Sequence, residues 1–510
     1  MPNILLITSD QQRADCFGFE NPHISTPHLD ALAARGTRFS ACITPNLVCQ
    51  PSRASILTGL LPLTHGVWDN GVDLDPAVGE RGFAGSLAGA GWDTAFIGKA
   101  HFSTKTTFQP TGTPESRYSA AMYEAGWMGP YMGFSHAELM VLGHFFKNRP
   151  LMEPAVGHFE RWFLSQGAER GEAQRRWSEE LTEGTGAAQT WDSGLPPAWH
   201  WNTWVADRSA DWLRHHDRSK PFCLWASFAD PHHPFDAPAP WSRMYDPDAM
   251  PLAAHRTPDL ERRPWWHRAS LETPPALEDP AMRNFRAHGS RMPAQTDEQL
   301  REMTANYYGM ISMVDDGVGR ILGALRDSGL QDDTLVIFTT DHGELLGHHG
   351  LYLKGPTPYE DLLRVGMVMA GPGVRSGGVV AEPVSTLDLA PTFREFAGLP
   401  TDPAMQGTSL SPLAAGKDAP RTAAWSEWTV HPSRCGVALQ LRTVRTKRWK
   451  CTVELGSGAG EMYDLLEDPT EMNNRFDDPA FRAVRDEMEA LIKARPGPVL
   501  EVLPEPIGMA

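Results

Sequence analysis

Val48-Cys49-Gln50-Pro51-Ser52-Arg53-Ala54-Ser55-Ile56-Leu57-Thr58-Gly59 reads as a loop that turns into a helix and stops at a glycine. Pro51 suits the first helical position, because its φ is already helical and it lacks an N–H that would go unused there. That geometry leaves Cys49 facing the positive end of a helix, where unpaired N–H groups favour anions. Arg53, one turn on, adds a permanent planar cation to the same spot. A sulfur-bearing side chain in an anion pocket suggests chemistry on a sulfate or phosphate ester. A lone cysteine is more often a small buried side chain beside a helix cap, so the surroundings must decide.

Working outward, Asn3 to Thr8 has the apolar centre of a strand buried on both faces, and it ends at Ser9-Asp10-Gln11. Pro27 to Arg35 reads as a helix stopped by Gly36, and Thr37 to Thr44 as the strand that delivers the chain to Cys49. Gly82 to Ala90 suits a helix, followed by the strand Trp92 to Ile97 and then Gly98-Lys99-Ala100-His101. From about Phe102 to His200 the period dissolves into an excursion over the active face. Trp191, Trp199, Trp201 and Trp204 either wall a subsite for a ring or a cationic leaving group, or simply pack that excursion. Trp204 to His216 reads as helix and Pro221 to Ala229 as strand, ending in Asp230-Pro231-His232-His233-Pro234. Residues 235 to 296 form a second irregular excursion.

Asp297 to Ser328 is the clearest helix, with Leu300, Met303, Tyr307, Met310, Val314, Val318, Ile321 and Leu325 as a core-facing stripe. Asp333 to Thr340 is a buried strand that runs into Asp341-His342-Gly343-Glu344. Lys354, a helix around Pro358 to Leu363, the strand Val365 to Met369 and the helix Thr386 to Ala397 follow. Beyond about residue 420 the alternation stops, and Val437 to Val444 and Trp449 to Glu454 suggest antiparallel strands before a helix at Pro479 to Lys493. The expected fold class is α/β. A doubly wound, mostly parallel sheet (1–420) carries a smaller C-terminal α+β subdomain (421–510) with a small antiparallel sheet and a helix.

A chain of 510 residues with a formal charge of −17 argues against a nucleic-acid surface. The opening Met1-Pro2-Asn3-Ile4 enters a strand at once, without a leader-like segment, and no apolar run approaches membrane length. The expectation is a cytoplasmic protein without membrane attachment. Six scattered cysteines show neither disulfide nor zinc spacing, and Cys16 and Cys42 read as buried thiols.

In a doubly wound sheet, the residues just after parallel strands lie along one edge. Asp10, the Cys49 loop, Lys99 with His101, His232, and Asp341 with His342 are therefore expected to converge, with Lys354 close behind. Singly, Asp10 reads as a turn former, Asp341-His342 as a helix cap and the lysines as solvated. Together with Cys49 they read as a divalent-metal site built on Asp10, Asp341 and His342. Oxygen ligands favour Ca²⁺, while the imidazole and the lower charge bring in Mn²⁺ or Mg²⁺.

Cys49-Gln50-Pro51-Ser52-Arg53 followed by Ala54 to Gly59 resembles the type I sulfatases of the alkaline phosphatase superfamily, whose relatives include the phosphonate monoester hydrolases. Gly98-Lys99-Ala100-His101, Pro231-His232-His233-Pro234, Leu353-Lys354-Gly355 with Tyr359-Glu360, and Tyr463-Asp464-Leu465 through Glu471 also match family segments. The resemblance implies that Cys49 is oxidised to formylglycine by a formylglycine-generating enzyme and becomes a further metal ligand. It implies attack on sulfur by one hydroxyl of the hydrated aldehyde, with the metal, Arg53, Lys99 and Lys354 holding the ester oxygens. His232 is the implied acid for the departing oxygen and His101 the base that releases the inorganic anion. Many of these sulfatases carry a second acid where this chain has Gln11, so the site has one charge fewer.

The expected activity is hydrolysis of small-molecule sulfate monoesters of the arylsulfatase type. The alternative is a phosphonate monoester or phosphodiester hydrolase using the same site, and a third reading is a metal-binding protein without turnover if Cys49 stays a thiol. His233, His348 and His349 are left as loop residues, and a homo-oligomer is compatible with everything above.

Overall fold

The computed structural model describes residues 2–508 apart from 108, 142–156, 170 and 178. β1 (Asn3–Ser9) is buried along its whole length and pairs in parallel with strands on both sides. That is why its Asn-Ile-Leu-Leu-Ile run carries no polar face. The remaining strands of the main sheet are β2 (Thr37–Ile43), β3 (Asp93–Gly98), β4 (His136–Leu139), β5 (Phe222–Ser227), β6 (Thr334–Thr340) and β7 (Arg364–Ala370). Two short strands, β8 (Gly378–Val380) and β9 (Val384–Ser385), complete it. Their order is β4-β3-β5-β1-β6-β7-β2-β8, with β9 on β2, and only the pairings made by β7 to β6 and β2 are antiparallel.

Seven helices matter for the site: α1 (Pro27–Ala34), α2 (Cys49–Thr58), α3 (Phe83–Gly89), α4 (Trp201–His215), α5 (Asp297–Asp327), α6 (Leu389–Phe396) and α7 (Arg482–Lys493). Phe83, Phe393 and Leu57 pack with Phe96 and Trp225 on one face of the sheet. Leu29, Val205, Val314 and Ile321 pack with Leu5 and Phe338 on the other. The sheet is thus covered on both faces, as the expected fold class requires. A reciprocal Thr296–Gln299 capping box starts α5, and all eight residues of its expected stripe are buried.

One expectation needs correction, one open alternative is decided, and three strands are added. The helix after Val48 begins at Cys49 itself, so Pro51 stands third rather than first; the N–H it lacks is still one of the orphan four. Trp201 and Trp204 are core residues, with Trp204 5.6 Å from Phe159 and Trp199 partly buried beside them, so packing explains these three rings. β4, β8 and β9 went unforeseen, because strands of two to four residues show no readable period. Part of the first excursion, 142–156, lies outside the described residues.

The C-terminal region is an antiparallel meander, β10 (Ala424–Val430), β11 (Leu439–Arg445), β12 (Trp449–Glu454) and β13 (Gly460–Asp464), with α7 against it. Trp428, Leu441 and Tyr463 share a core with Val48, Tyr359 and Leu362, so this sheet buttresses the entry to α2. The final segment then returns to the main body. Leu500 N donates to Leu63 O at 2.9 Å, Trp68 Nε1 to Pro504 O at 2.8 Å and Ile507 N to Gly71 O at 2.7 Å.

Gly98 ends β3 with φ +117°, and a Cβ there would lie 2.0 Å from Ser227 O at the end of β5. Gly98→Val is therefore expected to lower stability by about 3 kcal/mol, read as an earlier midpoint in guanidinium unfolding.

Candidate active site and metal centre

The carboxyl ends of four parallel strands deliver the site. β1 presents Asp10, β3 presents Lys99 and His101, β5 leads to His232, and β6 presents Asp341 and His342. β2 hands the chain to α2, whose first residue is Cys49 and which is buried over all ten positions. Two hydroxyls lock this junction to the end of β6, since Thr44 Oγ1 and Ser52 Oγ donate to Asp341 O at 2.6 and 2.7 Å.

At the centre lies a fully buried ion-pair net. The Arg53 guanidinium donates through Nε to Asp341 Oδ2 at 2.8 Å and through Nη2 to Asp10 Oδ2 at 3.0 Å. Its Nη1 donates to Lys99 O and Ser227 Oγ at 2.7 and 2.8 Å. Lys99 Nζ adds a 2.6 Å pair to Asp10 Oδ2. Burial pushes the Asp10 carboxyl up, but Lys99, Arg53 and Lys354 outweigh it and hold Asp10 well below the usual carboxylate range.

Ligand atoms of Asp10, Cys49, Asp341 and His342 all lie within 4.8 Å of one another. His342 Nδ1 is 2.9 Å from Gly343 O, which makes it the protonated nitrogen and leaves the Nε2 lone pair for a cation. Gln11 Oε1 is buried beside this group and has no hydrogen-bond partner among the described residues. Two carboxylates, an inward imidazole nitrogen and an orphaned amide oxygen are a donor set suited to one divalent cation.

Cys49 Sγ lies 3.1 Å from His342 Nε2 and accepts from Lys354 Nζ at 3.0 Å. Lys354 Nζ is also 2.9 Å from His232 Nε2 and 3.1 Å from His342 Nε2. Burial and Asp10 push the Cys49 thiol up, yet Lys354, Lys99 and His342 bring it down to about 7. His101 is buried, and neither ring nitrogen has a hydrogen-bond partner among the described residues. Burial, reinforced by Lys99 and Lys105, holds this imidazole well below its ordinary value and therefore neutral.

The catalytic and metal candidates from the sequence thus gather at one edge of the sheet. Gln11 stood out in the sequence as the place of a missing acid, but its partners and several other neighbours were not foreseen. Gln11 Nε2 donates to Glu344 and lies 3.0 Å from His233 Nδ1, so His233 is tied to the site floor. Gln50 N donates to Asn70 Oδ1 at 3.0 Å and Gly71 N to Gln50 Oε1 at 2.9 Å, which fastens the residues around 70 next to Cys49. Lys105 interacts electrostatically with Lys99, Cys49, Asp10 and Lys354, and burial followed by the Lys99 charge holds its ammonium at about 7. Its one sequence signal was its position four residues past His101, just beyond a strand's carboxyl end.

A sulfatase family model matches residues 2–399, and a model described as N-sulphoglucosamine sulphohydrolase, C-terminal, matches residues 347–496. The chain is 31% identical over 521 residues to the multifunctional alkaline phosphatase superfamily protein PehA of Trinickia caryophylli, covering 95% of this chain and 93% of that one. It is 27% identical over 502 residues to an arylsulfatase of Clostridium perfringens, covering 96% and 93%. The crystal structure of the phosphonate monoester hydrolase of Agrobacterium radiobacter superposes with a TM-score of 0.76 at 28% identity, covering 97% of this chain and 96% of that one.

Removing Arg53 would leave the buried Asp341 without its cation and Asp10 with Lys99 alone. Arg53→Met is expected to cost about 3–5 kcal/mol in denaturant unfolding of the metal-free protein. Lys105 predicts a pH effect: charged below about 7 and neutral above it, it attracts an anionic substrate only on the acid side. KM for a sulfate ester should therefore rise as pH passes 7, stay flat there in Lys105→Arg, and be high throughout in Lys105→Met.

Proposed function

The chain belongs to the sulfatase family, and on that premise we propose that it hydrolyses sulfate monoesters of the arylsulfatase type in the cleft above Cys49. The observation that carries this is the placing of Sγ at the first residue of a buried helix, 3.0 Å from the Lys354 ammonium and 3.1 Å from His342 Nε2. Asp10, Asp341 and His342, with the residue at 49, would hold one divalent cation, and Gln11 Oε1 stands by as a neutral donor. That cation supplies Lewis acidity toward the ester oxygens and toward the nucleophile. The expectation put Ca²⁺ first; an imidazole nitrogen in the donor set weighs toward Mn²⁺. A formylglycine at 49, made by a formylglycine-generating enzyme, supplies a hydrated aldehyde whose two hydroxyls divide attack from release.

The chain's own groups supply the rest. Arg53 is held by Asp10 and Asp341 and so cannot swing away as charge develops; against the push of burial, Lys99 and Arg53 keep the Asp10 carboxyl ionised. Lys99 and Lys354 bring positive charge to the ester oxygens, with the N–H groups at the start of α2 behind them. His232 Nδ1 donates to His233 O at 2.7 Å, which fixes the ring and turns the Nε2 lone pair to Lys354 Nζ at 2.9 Å, so the proton for the departing oxygen would come from the Lys354 ammonium, directly or through a His232 that it has protonated. His101, neutral at physiological pH and with both nitrogens open, is suited to take the proton whose loss frees the inorganic anion. That all six cysteines are free and buried supports the cytoplasm as its place of work.

A second reading, hydrolysis of phosphonate monoesters or phosphodiesters, draws on Gln11. An amide in place of an acid lowers the negative charge facing the ester, and Glu344 and His233 hold it there. Nitrophenyl sulfate and a nitrophenyl phenylphosphonate, measured side by side, separate the two readings by which has the larger kcat/KM. The peptide carrying Cys49 is expected to be lighter by about 18 Da, the difference between a thiol and an aldehyde. Cys49→Ala should lower kcat by at least about a thousandfold, and undiminished turnover would remove the basis for both readings.

A further inference from the structure

A cavity of about 260 Å³ shares a wall with the reaction centre. Lys354 belongs to its lining, and the same side chain reaches Cys49 Sγ and His232 Nε2. Arg434 belongs to the lining too, and it pairs with Asp69 at 2.7 Å. The next residue, Asn70, accepts from the backbone N–H of Gln50, beside Cys49. The cavity therefore adjoins position 49 through Lys354, and Arg434 links its far side to the residues that brace Gln50.

Its surface is mostly apolar, with Leu260, Leu271, Met292, Leu351 and Tyr352 contributing. Its charged members are Lys354, Arg291 and Arg434, and no carboxylate lines it among the described residues. Arg291 is not loose: its Nη2 donates to Ser270 O at 2.7 Å and Thr273 O at 2.6 Å. Burying a ring against the aliphatic and aromatic walls is favourable in proportion to the apolar area covered. A positively charged leaving group would instead meet Lys354 and Arg291 with no carboxylate in the lining, the Arg434 charge being met by Asp69 behind it, and an anionic one would be drawn to them.

We propose that this cavity is the leaving-group subsite and that it selects esters of an aryl or similarly apolar alcohol that is uncharged or negatively charged, discriminating against cationic alcohols. The inference rests on the sulfate-ester reading and gives that reading its substrate class. The built-in discrimination is repulsive as much as attractive, which is how a site rejects a competitor of similar shape.

The test uses the full-length protein bearing the converted residue at 49. Steady-state kinetics are measured on phenyl sulfate, 4-carboxyphenyl sulfate and 4-(trimethylammonio)phenyl sulfate, each set against the trend of kcat/KM with phenol acidity over uncharged phenols. The cationic ester is expected to fall at least about tenfold below that trend and the anionic one on or above it. In Met292→Glu, which places a negative charge in the cavity, the cationic-to-anionic ratio should rise at least about tenfold; Leu271→Glu serves the same purpose should the first variant fail to fold. A cationic ester lying on the trend, or a ratio unmoved by the added carboxylate, would overturn the proposal. Should none of the sulfates turn over while phenylphosphonate esters do, the sulfate reading is what fails, and the same charge order measured on the three matching phosphonates decides the cavity independently.

Discussion

One guanidinium, wholly withdrawn from water, organises the catalytic edge. Arg53 touches Asp341 and Asp10, just past the sixth and first strands, as well as the backbone of Lys99 and the hydroxyl of Ser227 at the ends of the third and fifth. A planar fork with five donors can hold four strand ends in one geometry, which an ammonium cannot do. The arrangement is costly in isolation, because desolvating charges is unfavourable. The cost is met by complete pairing, with Lys99 as the second cation on Asp10. The consequence is rigidity: no member of the net can move without leaving an uncompensated charge behind.

The same net explains why the cysteine helix sits where it does. Ser52 and Arg53 are consecutive, and both grip Asp341, one through its backbone oxygen and the other through its carboxylate. Thr44 takes the same backbone oxygen from the strand side. The turn between β2 and α2 is thereby clamped onto β6, and Cys49 has one place to be. The C-terminal sheet completes the clamp by packing Trp428 and Tyr463 into the core that holds Val48.

Much of this could be read in the sequence because parallel strands announce themselves. Runs such as Asn3 to Thr8 and Asp333 to Thr340 lack a polar face, and each breaks into chemistry-bearing residues at one end. The topological rule for doubly wound sheets then places those ends together without any knowledge of contacts. What could not be read follows from the same physics. β4, β8 and β9 borrow their order from neighbours rather than from a pattern of their own. Trp201 and Trp204 looked equally suited to a subsite and to a core, since an aromatic ring serves either, and only packing separates the two. Asn70 and Lys105 carry no periodic or motif signal, and Gln11 showed only as a departure from a motif; their work depends on which partner lies opposite, and that is set by tertiary structure alone.

The depth at which Cys49 lies has a consequence for timing. At 1% exposure, inside a helix buried on every side, its sulfur is out of reach of any other macromolecule. An enzyme that oxidises it must work while this part of the chain is still extended, before Ser52 and Arg53 have found Asp341. The returning segment sharpens the point, because Leu500, Pro504 and Ile507 come more than 400 residues after Cys49 and close over the residues from 63 to 71 that brace Gln50. Any enzymatic conversion of position 49 would therefore have to precede folding rather than follow it.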